Sequence, residues 1–136
     1  MNWDELAVGT GPEPRTVGPI SLTDIVKYQG ASGDFNPIHH DTDYARSSGF
    51  EQPVGVGMFH AGVMNSLATD WLGPDNLRRT RIRWKAPVFP GDVLTFAGAV
   101  TERWEEGGQR GVAMEVAGHR GDTLVVQGWM RFVVAS

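Results

Sequence analysis

Cysteine is absent from the 136 residues, which removes disulfide scaffolds, thiolate metal sites and cysteine nucleophiles at once. Long apolar runs are absent too, with no stretch near the roughly eighteen residues that read as a membrane-spanning helix. The first residues, Met1-Asn2-Trp3-Asp4-Glu5, carry acid where a secretory leader carries base, and no apolar segment follows. A cytoplasmic protein away from membranes is expected. Positive charge is in the minority, 12 Lys and Arg against 16 Asp and Glu, for a formal net charge of -4. That balance speaks against nonspecific nucleic-acid binding, which needs a broad cationic surface to displace phosphate counterions. Gly55-Val56-Gly57-Met58-Phe59-His60 lacks the third glycine of a dinucleotide fingerprint, and no Gly-x-Ser-x-Gly nucleophile elbow occurs. What remains is an ordinary globular composition, 40% hydrophobic and 21% charged, long enough for one packed core and too short for two. Residues 1-136 are therefore read as a single domain.

Glycines and prolines break up residues 11-20, which suits irregular chain or an edge strand. From Ser21 the pattern changes: a hydroxyl with Asp24 three residues on resembles a helix start, and Leu22, Ile25, Val26 and Gln29 follow at near-helical spacing. This helix is expected to end between Gly30 and Gly33. Ser32 to Asp41 is too rich in turn-formers for regular structure, because Pro37 also pushes Asn36 out of the helical region. A short helix is expected over Thr42 to Ser47. Met58 to Leu72 predicts the central helix, opened by Gly55-Val56-Gly57 and stopped at Gly73-Pro74. Its apolar residues fall on nearly every side, which implies burial all round.

The second half predicts strands. Ile82, Trp84 and Ala86 alternate with Arg81, Arg83 and Lys85, the period-2 mark of one buried and one polar face. Further strands are expected over Val93 to Val100, Arg110 to Ala117 and Thr123 to Val134, with turns at Glu105 to Gly108 and Gly118 to Asp122. Helices first and antiparallel strands after them make an α+β domain with a helix packed on one face of the sheet.

The sharpest chemical signal is Asp34, Asn36 and His39, a carboxylate, an amide and an imidazole on one proline-containing loop. An aspartate and a histidine that converge can share the proton transfers that adding water to a double bond requires, and such groups are worth roughly a hundred- to ten-thousandfold in rate. Asn36 can hold the water or the loop. The alternative is an Asx-type turn in which Asp34 and Asn36 bond only to nearby backbone.

Tyr28-Gln29-Gly30-Ala31-Ser32-Gly33-Asp34-Phe35-Asn36-Pro37-Ile38-His39-His40-Asp41 resembles the signature of the MaoC-like, R-specific enoyl-CoA hydratases. The similarity continues through Pro53 to Met58 and Ala86 to Asp92, covering most of the chain from about residue 20. The resemblance implies a hot-dog fold, a long helix wrapped by an antiparallel sheet. It implies Asp34 and His39 as the catalytic pair, with Asn36, the Gly57 backbone N–H and Met58 on the substrate side. The reaction implied is hydration of trans-2-enoyl thioesters to the R-3-hydroxyacyl form, or the reverse, in fatty-acid, polyketide or steroid side-chain metabolism. No cofactor is implied beyond coenzyme A or acyl carrier protein as the thioester carrier. A homodimer, or a heterodimer with another hot-dog subunit, is implied as well. One departure is that the family usually places histidine before the glycine of the central helix, where Val56 stands here.

A helix N-terminus suits Gly57 to this role independently, since unpaired N–H groups and partial positive charge favour an enolate oxygen. His39, His40 and Asp41 invite a metal reading, but adjacent side chains in an extended loop point apart, so no metal is expected. His60 on an apolar helix reads as a hydrogen-bonded core histidine. Arg78, Arg79, Arg81, Arg83 and Lys85 are the one dense cationic run, suited to coenzyme A phosphates, to an acidic carrier protein, or to nothing beyond a solvated strand face. Two rival functions remain: a non-catalytic or acyl-binding subunit of a heteromeric hydratase, and a hot-dog thioesterase using a helix carboxylate. Against the second, Met58 to Thr69 holds no acid and Asp70 falls at the far end of the helix.

Overall fold

A computed structural model describes residues 1-135. A short edge strand β1 (Arg15–Val17) precedes α1 (Leu22–Ser32), α2 (Thr42–Ser47) and the long α3 (Gly57–Leu72). Four strands follow, β2 (Leu77–Trp84), β3 (Leu94–Glu106), β4 (Gln109–Arg120) and β5 (Thr123–Val133). They form one five-stranded sheet in the order β1-β3-β4-β5-β2, with every neighbouring pair antiparallel. No helix among the described residues is long and apolar enough to cross a membrane.

The central helix packs on β3, β4 and β5 through one stripe, His60, Ala61, Met64, Leu67, Ala68 and Leu72, all buried at helical spacing. Met64 meets Phe96, Phe132, Met114 and the valines of the sheet in one core, each large side chain contributing about 1.5–3 kcal/mol by leaving water. Burial all round is not what this chain achieves by itself. Met58 is 55% exposed, and Gly62 and Asp70 share that open side, because a single sheet can cover only one stripe of a helix.

The strands run longer than their sequence pattern suggests. β3 continues to Glu106 and β4 carries on through Gly118-His119-Arg120, where a turn was expected. Pairing decides this: Gly118 lies between Phe96 on β3 and Val126 on β5, hydrogen-bonded territory on both sides, so turn-forming residues are held extended. Trp84 departs as well. The alternation puts it on the buried face with Ile82, yet it is 48% exposed and closes β2 by donating its indole N–H to the Gly57 carbonyl oxygen at 2.8 Å.

Candidate active site

The loop after α1 is shaped by caps. Ser21 and Asp24 cap the helix reciprocally, Ser21 Oγ accepting from the Asp24 amide at 3.0 Å and Asp24 Oδ2 from the Ser21 amide at 2.9 Å. The Ser21 backbone bond, with its hydroxyl, holds the Asp24 carboxyl below its ordinary range, so this acid caps the helix. At the other end Gly33 takes the left-handed conformation, φ 77°, and its N–H donates to the Gln29 carbonyl at 2.9 Å. The chain thereby reverses directly into Asp34.

Asp34 uses its two oxygens differently. Oδ1 accepts from the Asn36 amide at 3.3 Å, the Asx turn expected as the alternative, while Oδ2 faces His39 Nε2 at 3.7 Å. Asn36 accepts the Ile38 amide at 3.1 Å and so caps the 3-10 turn Pro37–His39. Of the two uses expected for Asn36, its oxygen serves the loop. His39 Nδ1 lies 2.6 Å from the Val54 carbonyl oxygen, which can only accept, so Nδ1 carries the proton and a neutral ring turns the Nε2 lone pair toward Asp34. A gap of 3.7 Å is too wide for a direct hydrogen bond, and water or a substrate hydroxyl can bridge it. The imidazole is 13% exposed and the carboxylate 46%, so the pair opens toward solvent on the acid's side. His40 turns the other way, Nδ1 to Gln29 Oε1 at 3.1 Å, and the two adjacent histidines do not converge.

Val54 leads through Gly55 into α3, so the residue that holds His39 lies next to the helix start. Val56 offers no side-chain cap; its carbonyl takes the Phe59 amide at 3.0 Å, and no side chain among the described residues claims the amides of Gly57 and Met58. A cleft beside them is lined by Gly55, Gly57, His60, Trp84, Lys85, Ala86, Pro87 and Val88. A Cβ on Gly57 would meet Trp84 Nε1 at 2.8 Å, so glycine lets the indole lie against the helix start. Met58, next in line, is exposed and does not line the cleft.

His60 differs from its expectation. It is a core residue, 3% exposed, but its buried Nδ1 finds no hydrogen-bond partner among the described residues. Burial pushes its pKa down to about 4; Asp92 opposes this shift and His39 adds to it. The ring is therefore neutral at physiological pH. Sequence reasoning missed two residues, Gln29 and Val54. Gln29, 2% exposed, was visible as a polar residue on the apolar stripe of α1, whereas a backbone carbonyl leaves no sequence signal.

The cationic run lies elsewhere. Thr80 meets Asn65 of α3, so by strand alternation Arg79, Arg81 and Arg83 point from the opposite face, where Arg81 stacks on Trp129 at 4.6 Å. Asp70 forms an ion pair with Arg15 at 2.8 Å, away from the helix start, which removes the thioesterase carboxylate.

A long helix held against an antiparallel sheet, with the histidine–carboxylate loop beside its first turn, is a hot-dog domain. The chain belongs to the MaoC-like domain family, whose model matches residues 5–127. It is 37% identical over 84 residues to the (R)-specific enoyl-CoA hydratase of Rhodospirillum rubrum, covering 60% of this chain and 58% of that one. Over 109 residues it is 30% identical to the peroxisomal multifunctional enzyme type 2 of Mus musculus, covering 77% of this chain and 14% of the mouse protein. The chain thus spans less than two thirds of either relative. Among solved structures it is similar to the ChsH1-ChsH2 complex from Mycobacterium tuberculosis, with a TM-score of 0.82 at 25% identity, covering 95% of this chain and 98% of that one.

Proposed function

We propose that the chain hydrates trans-2-enoyl thioesters to R-3-hydroxyacyl thioesters, or dehydrates them in reverse, as one MaoC-like domain. The observation that carries the reading is the 2.6 Å contact of His39 Nδ1 with the Val54 carbonyl, which sets the tautomer. With Nδ1–H committed to Val54, the His39 lone pair and Asp34 Oδ2 face each other at 3.7 Å, where one water beside them can hydrogen-bond to both. That water gives a proton to the pair as its oxygen bonds to the β-carbon and the double bond opens. The pair delivers a proton to the α-carbon, so H and OH add from one side and the site returns to its starting charge. The enolate oxygen that develops is stabilised by the Gly57 amide at the start of α3, where one such donor is worth roughly 2.7 to 4 kcal/mol. No cofactor is needed, and coenzyme A or an acyl carrier protein serves as the thioester carrier. The name of the hydratase relative supports this reading, and the likeness to a chain of the ChsH1-ChsH2 complex supports a paired assembly.

The test is turnover of a trans-2-enoyl-CoA, with the product coupled to R-specific and S-specific dehydrogenases. The R alcohol is expected, with Asp34→Asn and His39→Ala each at least about a hundredfold slower while keeping the native circular dichroism. A predominantly S product, or near-normal turnover in both variants, would sink the assignment.

A further inference from the structure

Gln29 occupies a stripe position in α1 that pattern reserves for an apolar side chain, and it is one of two buried polar residues among those described. Its amide is spent on the loop. Nε2 donates to the carbonyl oxygens of Asp34 at 2.8 Å and Asn36 at 3.2 Å, and Oε1 accepts from His40 Nδ1 at 3.1 Å. Its backbone carbonyl holds Gly33 as well. These partners bracket the pair: the acid itself, the residue that caps the turn carrying His39, and the neighbour of His39.

We propose that Gln29 is a positioning residue that sets the separation of Asp34 and His39, an inference that rests on the acid/base reading of that pair. The two groups hang from different anchors. His39 is fixed by Val54, on the segment leading into α3, and the Val54 amide also donates to the Ile38 carbonyl of the turn at 3.0 Å, whereas the Asp34 and Asn36 carbonyls accept from one NH2 group on α1. Loss of that NH2 group frees the acid's side of the gap and leaves the base tethered. The Asp34 carbonyl then loses its side-chain donor and the Asn36 carbonyl keeps only the His39 amide at 3.1 Å, which loosens the loop further on the acid's side. Gln29 does not line the cleft at Gly57, so thioester binding is left intact.

Gln29→Leu, similar in size and without donors or acceptor, is expected to lower kcat on the order of a hundredfold, the usual cost of a misplacement near 1 Å, with KM little changed. Gln29→Glu separates donation from space-filling. Ionised, it offers lone pairs to two carbonyls and is as slow as the leucine variant; protonated, it regains one donor. The ratio of its kcat to that of Gln29→Leu therefore climbs as pH falls, and a flat ratio overturns the proposal. Wild-type kcat in Gln29→Leu, beside inactive Asp34→Asn and His39→Ala, overturns it while leaving the acid/base reading in place. Active Asp34→Asn and His39→Ala variants overturn both. Where the leucine variant does not fold, hydrogen exchange of the wild-type Gln29 side-chain amide decides: slow exchange supports the clamp, and the rate of a free glutamine amide removes it.

Discussion

His60 shows how one buried atom acquires a measurable consequence. Its Nδ1 is without a partner among the described residues and burial holds its pKa at about 4, below the ordinary histidine value of 6.5. The unfolded chain therefore takes up the proton first as pH falls. Stability from this residue is complete above pH 6.5, declines through the interval down to about 4, and is constant below it, for a total of about 3 kcal/mol. Urea unfolding of wild type and His60→Leu from pH 4 to 7 checks this: the variant's stability is expected to fall less steeply toward acid. Parallel curves would mean that the imidazole is solvated. Asp34 divides its two oxygens, one accepting the turn amide and the other facing His39, so the Asx turn and the proposed acid/base role are compatible.

At the scale of the element, the first turn of α3 combines packing with chemistry. Gly57 is the first helical residue, a position where proline fits the backbone and deletes only an N–H that has no helical partner. Gly57→Ala and Gly57→Pro both place a Cβ against the Trp84 indole, so both disturb that contact. Their difference isolates the amide. Gly57→Pro is expected to turn over roughly a hundred- to a thousandfold more slowly than Gly57→Ala, the worth of one oxyanion donor. Equal rates in a steady-state assay would take the Gly57 N–H out of the mechanism.

For the whole molecule, the open side of α3 and its surroundings bear on the proposed assembly. Val26 at 47%, Phe35 at 68%, Met58 at 55% and Trp84 at 48% leave large apolar side chains in water, a surface consistent with the proposed pairing with a second hot-dog subunit. Light scattering of the purified protein, alone and mixed with a co-encoded hot-dog partner, is expected to report a dimer in at least one case. A fully active monomer would remove the partner from the proposal.

Much of the fold was legible because its signals are local. Ser21 with Asp24, Gly33 and Gly73 end helices through bonds spanning a few residues, and the Asp34–His39 loop is shaped by Asn36 and Pro37 within it. The order of helices and strands, the α+β class and the pair of groups on one loop follow from those signals. Tertiary structure decided the rest, because the deciding partners are distant in sequence or carry no side-chain signature. Val54 lies 15 residues from the histidine it orients and acts through its backbone. Pairing with Phe96 and Val126 holds Gly118 extended against its turn-forming character. Trp84 lies beside Gly57, 27 residues away, where strand alternation points it to the core. Gln29 was visible as a polar residue out of place, but its three partners exist only once the loop has folded back over α1, since a hydrogen bond requires geometry as well as chemistry.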